Sequence, residues 1–274
     1  MVTTINNNDI QIVPNDKLFD LTGEVAVVTG AASGLGADAA RAYVTAGASV
    51  ALLDVNEQGL ATVADELNAL GGHVIAIPTD VSVDEQVRDA IGKARGELGE
   101  IGVVLNDAGA YARDSAETFT DEEWDHVFAV NLKSILLTTR YVIDGFKKRG
   151  YGKIVNIASI DALIAGTGET WVRDSYHSSK AAVIGLTRTL GIRYAKYGVN
   201  VNAIAPGLFR TGLSANNFEA EGFAERFSAH NPSRRYGRPG ELNGTVLYLS
   251  SHASDYVQAQ TIVVDGGTTV GYAE

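Results

Sequence analysis

An open, doubly wound α/β fold is predicted, with one seven-stranded parallel sheet and helices on both of its faces. Three observations carry it. From residue 24 onward, short β-branched runs alternate with Ala-rich segments of helix length, as successive βαβ units require. The runs are almost continuously apolar, as in Val50-Ala51-Leu52-Leu53 and Ile154-Val155-Asn156-Ile157, which suits strands covered on both faces. The first run also passes directly into a glycine-rich segment that opens the first helical pattern.

In chain order the predicted strands are 25–29, 49–54, 73–78, 102–106, 153–158, 200–205 and 261–264, and the predicted helices are 35–46, 57–70, 83–98, 122–148, 175–197 and 242–249. Ser82 and Thr120 each precede a glutamate, Glu85 and Glu123, by three residues, so both are read as capping boxes that satisfy free amides at a helix start. Gly47, Gly71 and Gly150 stand where helix ends favour a positive φ. Residues 1–17, rich in Asn, Asp and Thr without period, are expected to form a loose arm. No internal repeat or linker interrupts 18–274, which is read as a single domain.

Composition narrows the function classes. Asp and Glu number 33 against 22 Lys and Arg, a formal charge of −11 that disfavours binding to a phosphate backbone, so no nucleic-acid partner is expected. With no cysteine in 274 residues, disulfides, thiolate nucleophiles and cysteine zinc sites are excluded. The five histidines, at 73, 126, 177, 230 and 252, lack paired metal spacing, and no metal site is expected. The first twenty residues contain one cation, Lys17, and no apolar run, and no stretch approaches the ~18 apolar residues of a membrane helix. A soluble, cytoplasmic protein is the expectation.

The segment Thr29-Gly30-Ala31-Ala32-Ser33-Gly34-Leu35-Gly36 lies where a phosphate-binding turn belongs, between first strand and first helix. Glycines let the backbone approach a pyrophosphate, and the helix start offers free amides and the positive end of its dipole. Gly30, Ser33, Gly34, Leu35 and Gly36 are therefore candidate cofactor contacts. No Lys-Ser/Thr completes the turn, which disfavours a nucleoside triphosphatase. Asp54, eighteen residues beyond Gly36 at the end of the second strand, is positioned to accept both hydroxyls of an adenosine ribose, with helix capping as its alternative role. A carboxylate there repels a 2′-phosphate, and Ser33 and Val55 put no cation nearby, so NAD is the expected cofactor. Asp80 and Val81, ending the third strand, are read as an adenine-edge contact or, for Asp80, as a helix cap.

Tyr176 and Lys180 lie four apart at a predicted helix start and project from one face. A phenol with a pKa of ~10 becomes a base near neutrality only if an ammonium stabilises its anion, and lowering it by ~2 to 3 requires ~3 to 4 kcal/mol. Standing alone, such a pair is more readily a surface pair. Ser159, however, sits just past the fifth strand, at the edge where open α/β sheets bind ligands, with its hydroxyl available to a substrate oxygen. Asn131 lies within an apolar helical stretch, 127–137, where an amide is unexpected unless it bonds backbone or ordered water.

This combination resembles the short-chain dehydrogenase/reductase family, over about 18–267. The matching motifs are the phosphate turn Thr29 to Gly36, the strand-four motif Asn106-Asp107-Ala108-Gly109, the tetrad Asn131, Ser159, Tyr176 and Lys180, and Pro206-Gly207 with Thr211 in the nicotinamide-side loop. The resemblance implies a Rossmann-type fold and hydride transfer between a nicotinamide and a carbonyl or carbinol carbon. It implies Tyr176 as general acid/base, Ser159 polarising the substrate oxygen, Lys180 binding the nicotinamide ribose and depressing the tyrosine pKa, and Asn131 positioning a water that links Lys180 to solvent. It adds Asn106, Ala108, Gly109, Pro206, Gly207, Leu208 and Thr211, with Tyr176 and Lys180, to the cofactor contacts, and a homotetramer built on the helices bearing Asn131 and Tyr176. Two departures stand out: Asp107 replaces the usual Asn, and the interval of 17 residues from Ser159 to Tyr176 is longer than usual, which places extra residues within 161–175.

For the substrate, residues 208–229 combine phenylalanines with Gly212 and Gly222 and read as a helical lid or a packed helical hairpin. Tyr111, Asp161, Trp171, Phe209 and Arg210 are the candidate substrate residues. Arg173 and Arg210 suit a sugar acid or other carboxylate, whereas Trp171, Tyr111 and the phenylalanines suit a steroid or aryl alkanol. Surface ion pairing is the alternative for each arginine. The pattern Phe19-Asp20-Leu21-Thr22-Gly23 and the closing Val264-Asp265-Gly266-Gly267 resemble the gluconate and deoxygluconate dehydrogenase branch. A cofactor-binding sensor or scaffold without turnover is the reading from another class.

Overall fold

The apolar β-branched runs form strands β1 (Val25–Thr29), β2 (Ser49–Asp54), β3 (Val74–Pro78), β4 (Ile101–Asn106), β5 (Gly152–Ile157), β6 (Val199–Pro206) and β7 (Thr261–Val264). In the computed structural model, which describes residues 13–165, 172–211, 214, 218 and 222–271, they make one parallel sheet of order β3-β2-β1-β4-β5-β6-β7. Every neighbouring pair is parallel, as the helix-length connections demand.

The helices are α1 (Gly34–Thr45), α2 (Glu57–Ala69), α3 (Asp84–Leu98), α4 (Asp121–Phe128), α5 (Ser134–Arg149), α6 (Asp174–Tyr194), α7 (Phe223–His230) and α8 (Asn243–Ser250). Because side chains alternate along a strand, each strand feeds two cores. Ala26, Val28, Val50 and Leu52 pack with Leu60 and Leu67 of α2 and Val246 and Leu249 of α8. Val25, Val27, Ala51 and Leu53 pack on the other face with Ile91 of α3, Phe146 of α5 and Val183 of α6. Burying a Val, Leu or Ile contributes about 1.5–3 kcal/mol, so this two-sided arrangement is where the apolar strand composition finds its stability.

Local signals hold with exceptions. Gly47, Gly71 and Gly150 have φ of +95°, +87° and +71°. Thr120 caps α4, accepting the Glu123 amide at 3.2 Å. Ser82 does not cap: Val83 precedes α3, and the Ser82 hydroxyl donates instead to Asp80 at 2.6 Å. A nearby carboxylate outcompetes a backbone amide for that hydroxyl. The helix expected over 122–148 is interrupted by a π-helical turn, Ala129–Lys133, that contains Asn131. The helix expected over 175–197 ends as a 3₁₀ turn, Ala195–Tyr197. Of the expected arm, 1–12 lie outside the described residues, and Asn15–Lys17 form a 3₁₀ turn.

Candidate active site

The chain leaves β1 toward β2 on one side and leaves β4 toward β5 on the other, so the sheet has its topological switch point between the carboxyl ends of β1 and β4. There the glycine turn meets the β4 turn. Gly30 has φ +70°, and a Cβ on it would stand 2.8 Å from the Ala108 amide nitrogen, so only glycine permits the approach. Thr29 Oγ1 accepts the amides of both Asp107 and Ala108 at 3.1 Å, locking the two turns together. A Cβ on Gly34 would lie 3.0 Å from Thr211 Cβ, which brings the loop after β6 against the start of α1.

Above these turns opens a cavity of about 450 Å³. Gly30, Ser33, Gly34, Leu35, Asp54, Asp80, Val81, Ala108, Gly109, Pro206, Gly207, Leu208 and Thr211 all line it, as expected of cofactor contacts. Asp54 is half-buried; one carboxylate oxygen accepts the Ala32 amide at 3.1 Å and the other the Asn56 amide at 2.9 Å. The alternative role as a helix cap falls instead to Asn56, whose side chain accepts the Gly59 amide at 3.0 Å at the start of α2, while Asp54 holds the turn before it and lines the cavity. Asp80 is likewise tied to the Ser82 amide and hydroxyl.

Two expected contacts are corrected. Gly36 lies beneath the turn, where a Cβ would sit 2.4 Å from the Gly30 carbonyl oxygen, so it serves packing. Asn106 is 5% exposed and off the cavity wall. Its amide donates to Asn156 at 2.8 Å and accepts from the Thr138 hydroxyl at 2.8 Å, part of a buried ladder that continues from Asn156 to Thr187 and joins α5, β4, β5 and α6.

Toward β5 and α6 the cavity wall takes in Tyr176 and Lys180, which α6 carries on one face. Its start is held by a residue from another segment: Asp114, fully buried, accepts the Ser175 amide at 3.2 and 3.3 Å, and its carbonyl takes the Asp174 amide at 3.0 Å. Lys180 is 3% exposed, donates to the Ile157 carbonyl at 2.8 Å, and holds its ammonium 5.7 Å from the Tyr176 ring centroid. Burial pushes Lys180 down to about 8, with Asp107 and Asp161 opposing the fall. Ser159, past the end of β5, lies within hydrogen-bonding reach of the Tyr176 phenol and lowers its pKa, but burial and the Asp161 carboxylate drive that phenol upward more strongly. The balance opposes the expected depression by Lys180, whose ammonium is engaged with Ile157.

Asn131, 2% exposed, is a brace. Its amide oxygen accepts the Ala110 amide at 2.8 Å, and its nitrogen donates to the Ala110 carbonyl at 2.9 Å and to Ser179 Oγ at 2.9 Å. Both N–H groups are thereby committed, and the second lone pair of the amide oxygen is what the side chain keeps for the expected relay water. The π-helical turn re-aims the side chain toward α6, as such turns do near functional sites.

Asp107, one of the two departures that stood out in the sequence, lines the cavity as well. Burial pushes its carboxyl up to about 7, against the pull of Lys180 and a hydrogen bond from the Gly36 amide; Asp54 and Asp38 add to the rise. A titrating group thus stands between the phosphate turn and the lysine.

Among the substrate candidates, Tyr111, Asp161 and Phe209 line the cavity, with Phe209 also packed into the core. Arg210 is corrected: it is exposed, off the cavity wall, with its guanidinium 5.8 Å from the Phe218 ring centroid. The arginine on the wall is Arg173, 5.4 Å over the Tyr111 ring. Trp171 lies outside the described residues. Within the expected lid, Phe223 and Phe227 of α7 line the cavity; much of 212–221 lies outside the described residues. His126 and Ser214 also reach the wall, unannounced by any spacing in the sequence. Among the described residues no helix is long and apolar enough to cross a membrane.

A family model described as enoyl-(acyl carrier protein) reductase matches residues 30–269. The chain is 35% identical over 254 residues to the 2-dehydro-3-deoxy-D-gluconate 5-dehydrogenase of Dickeya dadantii, covering 91% of this chain and 96% of that protein. A solved short-chain type dehydrogenase/reductase from Mycobacterium marinum is similar with TM-score 0.87 and 35% identity, covering 92% of this chain and 98% of that one. A gluconate 5-dehydrogenase from Burkholderia cenocepacia, in complex with NADP and tartrate, is similar with TM-score 0.86 and 33% identity over the same shares, 92% and 98%.

Proposed function

The chain belongs to the short-chain dehydrogenase/reductase family and to its gluconate-dehydrogenase-like branch, and from that premise we propose that it interconverts a secondary alcohol and a ketone of a sugar acid or polyol with NAD(H). The observation that carries the reading is the convergence of Ser159, Tyr176 and Lys180 on one end of a cavity whose other end is the glycine turn and Asp54. A surface Tyr–Lys pair would share no cavity with a phosphate turn.

The cradle fits a dinucleotide: the glycines at 30 and 34 stand where a Cβ would collide, and α1 presents its free amides to the cavity. When bound, the nicotinamide supplies or takes the hydride at the reacting carbon. Asp54 and Val55 support NAD over NADP in this chain, since the cations on the described wall, Arg173 and Lys180, belong to the reacting end. Lys180 would hold the nicotinamide-side ribose.

In this reading the Tyr176 phenol gives its proton to the carbonyl oxygen during reduction and retrieves it during oxidation, while the Ser159 hydroxyl donates a hydrogen bond to the same oxygen. Burial keeps the phenol protonated across the neutral range, the form a general acid needs. The reverse direction depends on the Lys180 ammonium to stabilise the phenolate, so it demands the charged lysine. Assembly of four copies through α5 and α6 belongs to the same reading; exposed Leu136 and Ile192 on those helices support it.

The test is Tyr176→Phe. NADH binding, followed by fluorescence titration, should persist while turnover falls by about 10²–10⁴-fold; unchanged turnover would remove Tyr176 as the acid/base and favour the sensor reading.

A further inference from the structure

Beyond Ser159 the cavity wall carries Asp161 and Arg173, which proton transfer and cofactor binding leave without a task. Asp161 belongs to the 3₁₀ turn Ile160–Ala162, and its amide donates to Ser159 Oγ at 3.1 Å, so its position is tied to the hydroxyl that faces the reacting oxygen. Its side chain is 7% exposed and lines the cavity. Two basic side chains approach the same carboxylate oxygen without touching it: Arg173 Nη1 and His177 Nε2, each at 3.9 Å. That exceeds hydrogen-bond length, and His177 Nε2 is buried with no hydrogen-bond partner. A hydroxyl oxygen about 2.7 Å from the carboxylate and about 2.9 Å from a nitrogen fits such a gap.

We propose that Asp161 is the specificity residue of the substrate site, accepting a hydrogen bond from a hydroxyl on the carbon next to the one that reacts, so that α-hydroxy ketones and vicinal diols are selected over their deoxy counterparts. The inference rests on Ser159 and Tyr176 marking the reacting oxygen. Given that, the placement follows from the chain: a residue two positions beyond Ser159 on the same turn reads the neighbouring substituent. The chemistry follows from burial. An ionised carboxylate is acceptor-only, and shielding it behind an apolar ligand leaves it unsatisfied at a penalty that a hydroxyl relieves. Burial raises the Asp161 pKa, while His177, Arg173 and Lys180, the basic groups facing it, pull it back toward the ionised, accepting form. A site built around such an acceptor rejects the analogue that lacks the hydroxyl more strongly than an apolar pocket rejects a missing methylene.

The test compares 2-hydroxycyclohexanone with cyclohexanone, a pair differing in one hydroxyl. With NADH, the wild-type protein should favour the hydroxy ketone at least tenfold in kcat/KM. Asp161→Ala should bring the ratio toward one, and Asp161→Asn, which keeps one acceptor, should fall between. A wild-type ratio near one, or a ratio that survives Asp161→Ala, overturns the proposal. Equilibrium binding of the two ketones to the protein–NADH complex, read from NADH fluorescence, separates the two layers. Discrimination in binding without turnover would count against the proposed reaction alone, and equal binding would count against Asp161.

Discussion

Asp107→Asn isolates the most unusual electrostatic feature of the site. The carboxyl moves from 3.8 to about 7, chiefly through burial, which at 1.36 kcal/mol for each pH unit withholds about 4 kcal/mol from the ionised native form. A folded pKa above the unfolded one means that the native state binds the extra proton. Stability from this group is complete below pH about 4 and is lost as pH rises to about 7, where the loss levels off. Asn keeps an acceptor for the Gly36 amide and cannot ionise, so the variant should match the wild type near pH 4 and exceed it by pH 8. The Asp107–Lys180 attraction is already contained in that net shift, so the expected gain by pH 8 is on the order of a few kcal/mol. Urea unfolding midpoints at half-unit steps from pH 4 to 8 measure the difference. A difference that is constant over that range, or a variant that is weaker at pH 8, would refute the account of Asp107 as a buried, partly protonated acid. The same substitution removes a group that holds the Lys180 pKa up, so the pH at which alcohol oxidation loses its charged lysine should move down, checked by the pH profile of kcat.

Asp54→Ala should weaken NAD by roughly tenfold or more while weakening NADP less, because the lost hydrogen bonds to a charged acceptor are worth about 1.5–3 kcal/mol; fluorescence titration of both reduced cofactors checks it, and equal weakening would count against the ribose role. Asp114→Ala leaves the Ser175 amide at the buried start of α6 without its acceptor, predicting a loss of about 1–3 kcal/mol in chemical denaturation together with a lower kcat. Gly30→Ala places a Cβ 2.8 Å from the Ala108 amide nitrogen at φ +70°, strain of about 1–3 kcal/mol that should appear as weakened NADH binding.

Elements that obey a local rule were legible in the sequence. The strands come within a residue or so of their predicted bounds because an apolar run between turn residues is a local property, and the phosphate turn was placed by its position between strand and helix. Ser159, Tyr176 and Lys180 were found through their positions at a strand end and a helix start. Local reasoning failed where a distant partner competed. Ser82 had a carboxylate to bond, and Asn131 had Ala110 and Ser179 to clamp, for which a helix-like stretch became a π-helical turn. Of the arginines, Arg173 reached the cavity and Arg210 did not, a choice no spacing encodes.

Sequence alone determined the order of strands and helices, the glycine turn and the placement of Ser159 at a strand end and of Tyr176 and Lys180 on one helix face, because periodicity and chain direction act over a few residues. The tertiary structure alone decided what those groups experience. Asp114 caps α6 from sixty-one residues away, Asp107 comes within electrostatic reach of Lys180, and Asp161 stands beside Ser159 facing Arg173 and His177. Their protonation and contacts depend on how much water the fold excludes and which charges it brings within a few ångströms, and both are set only when the chain has closed on itself.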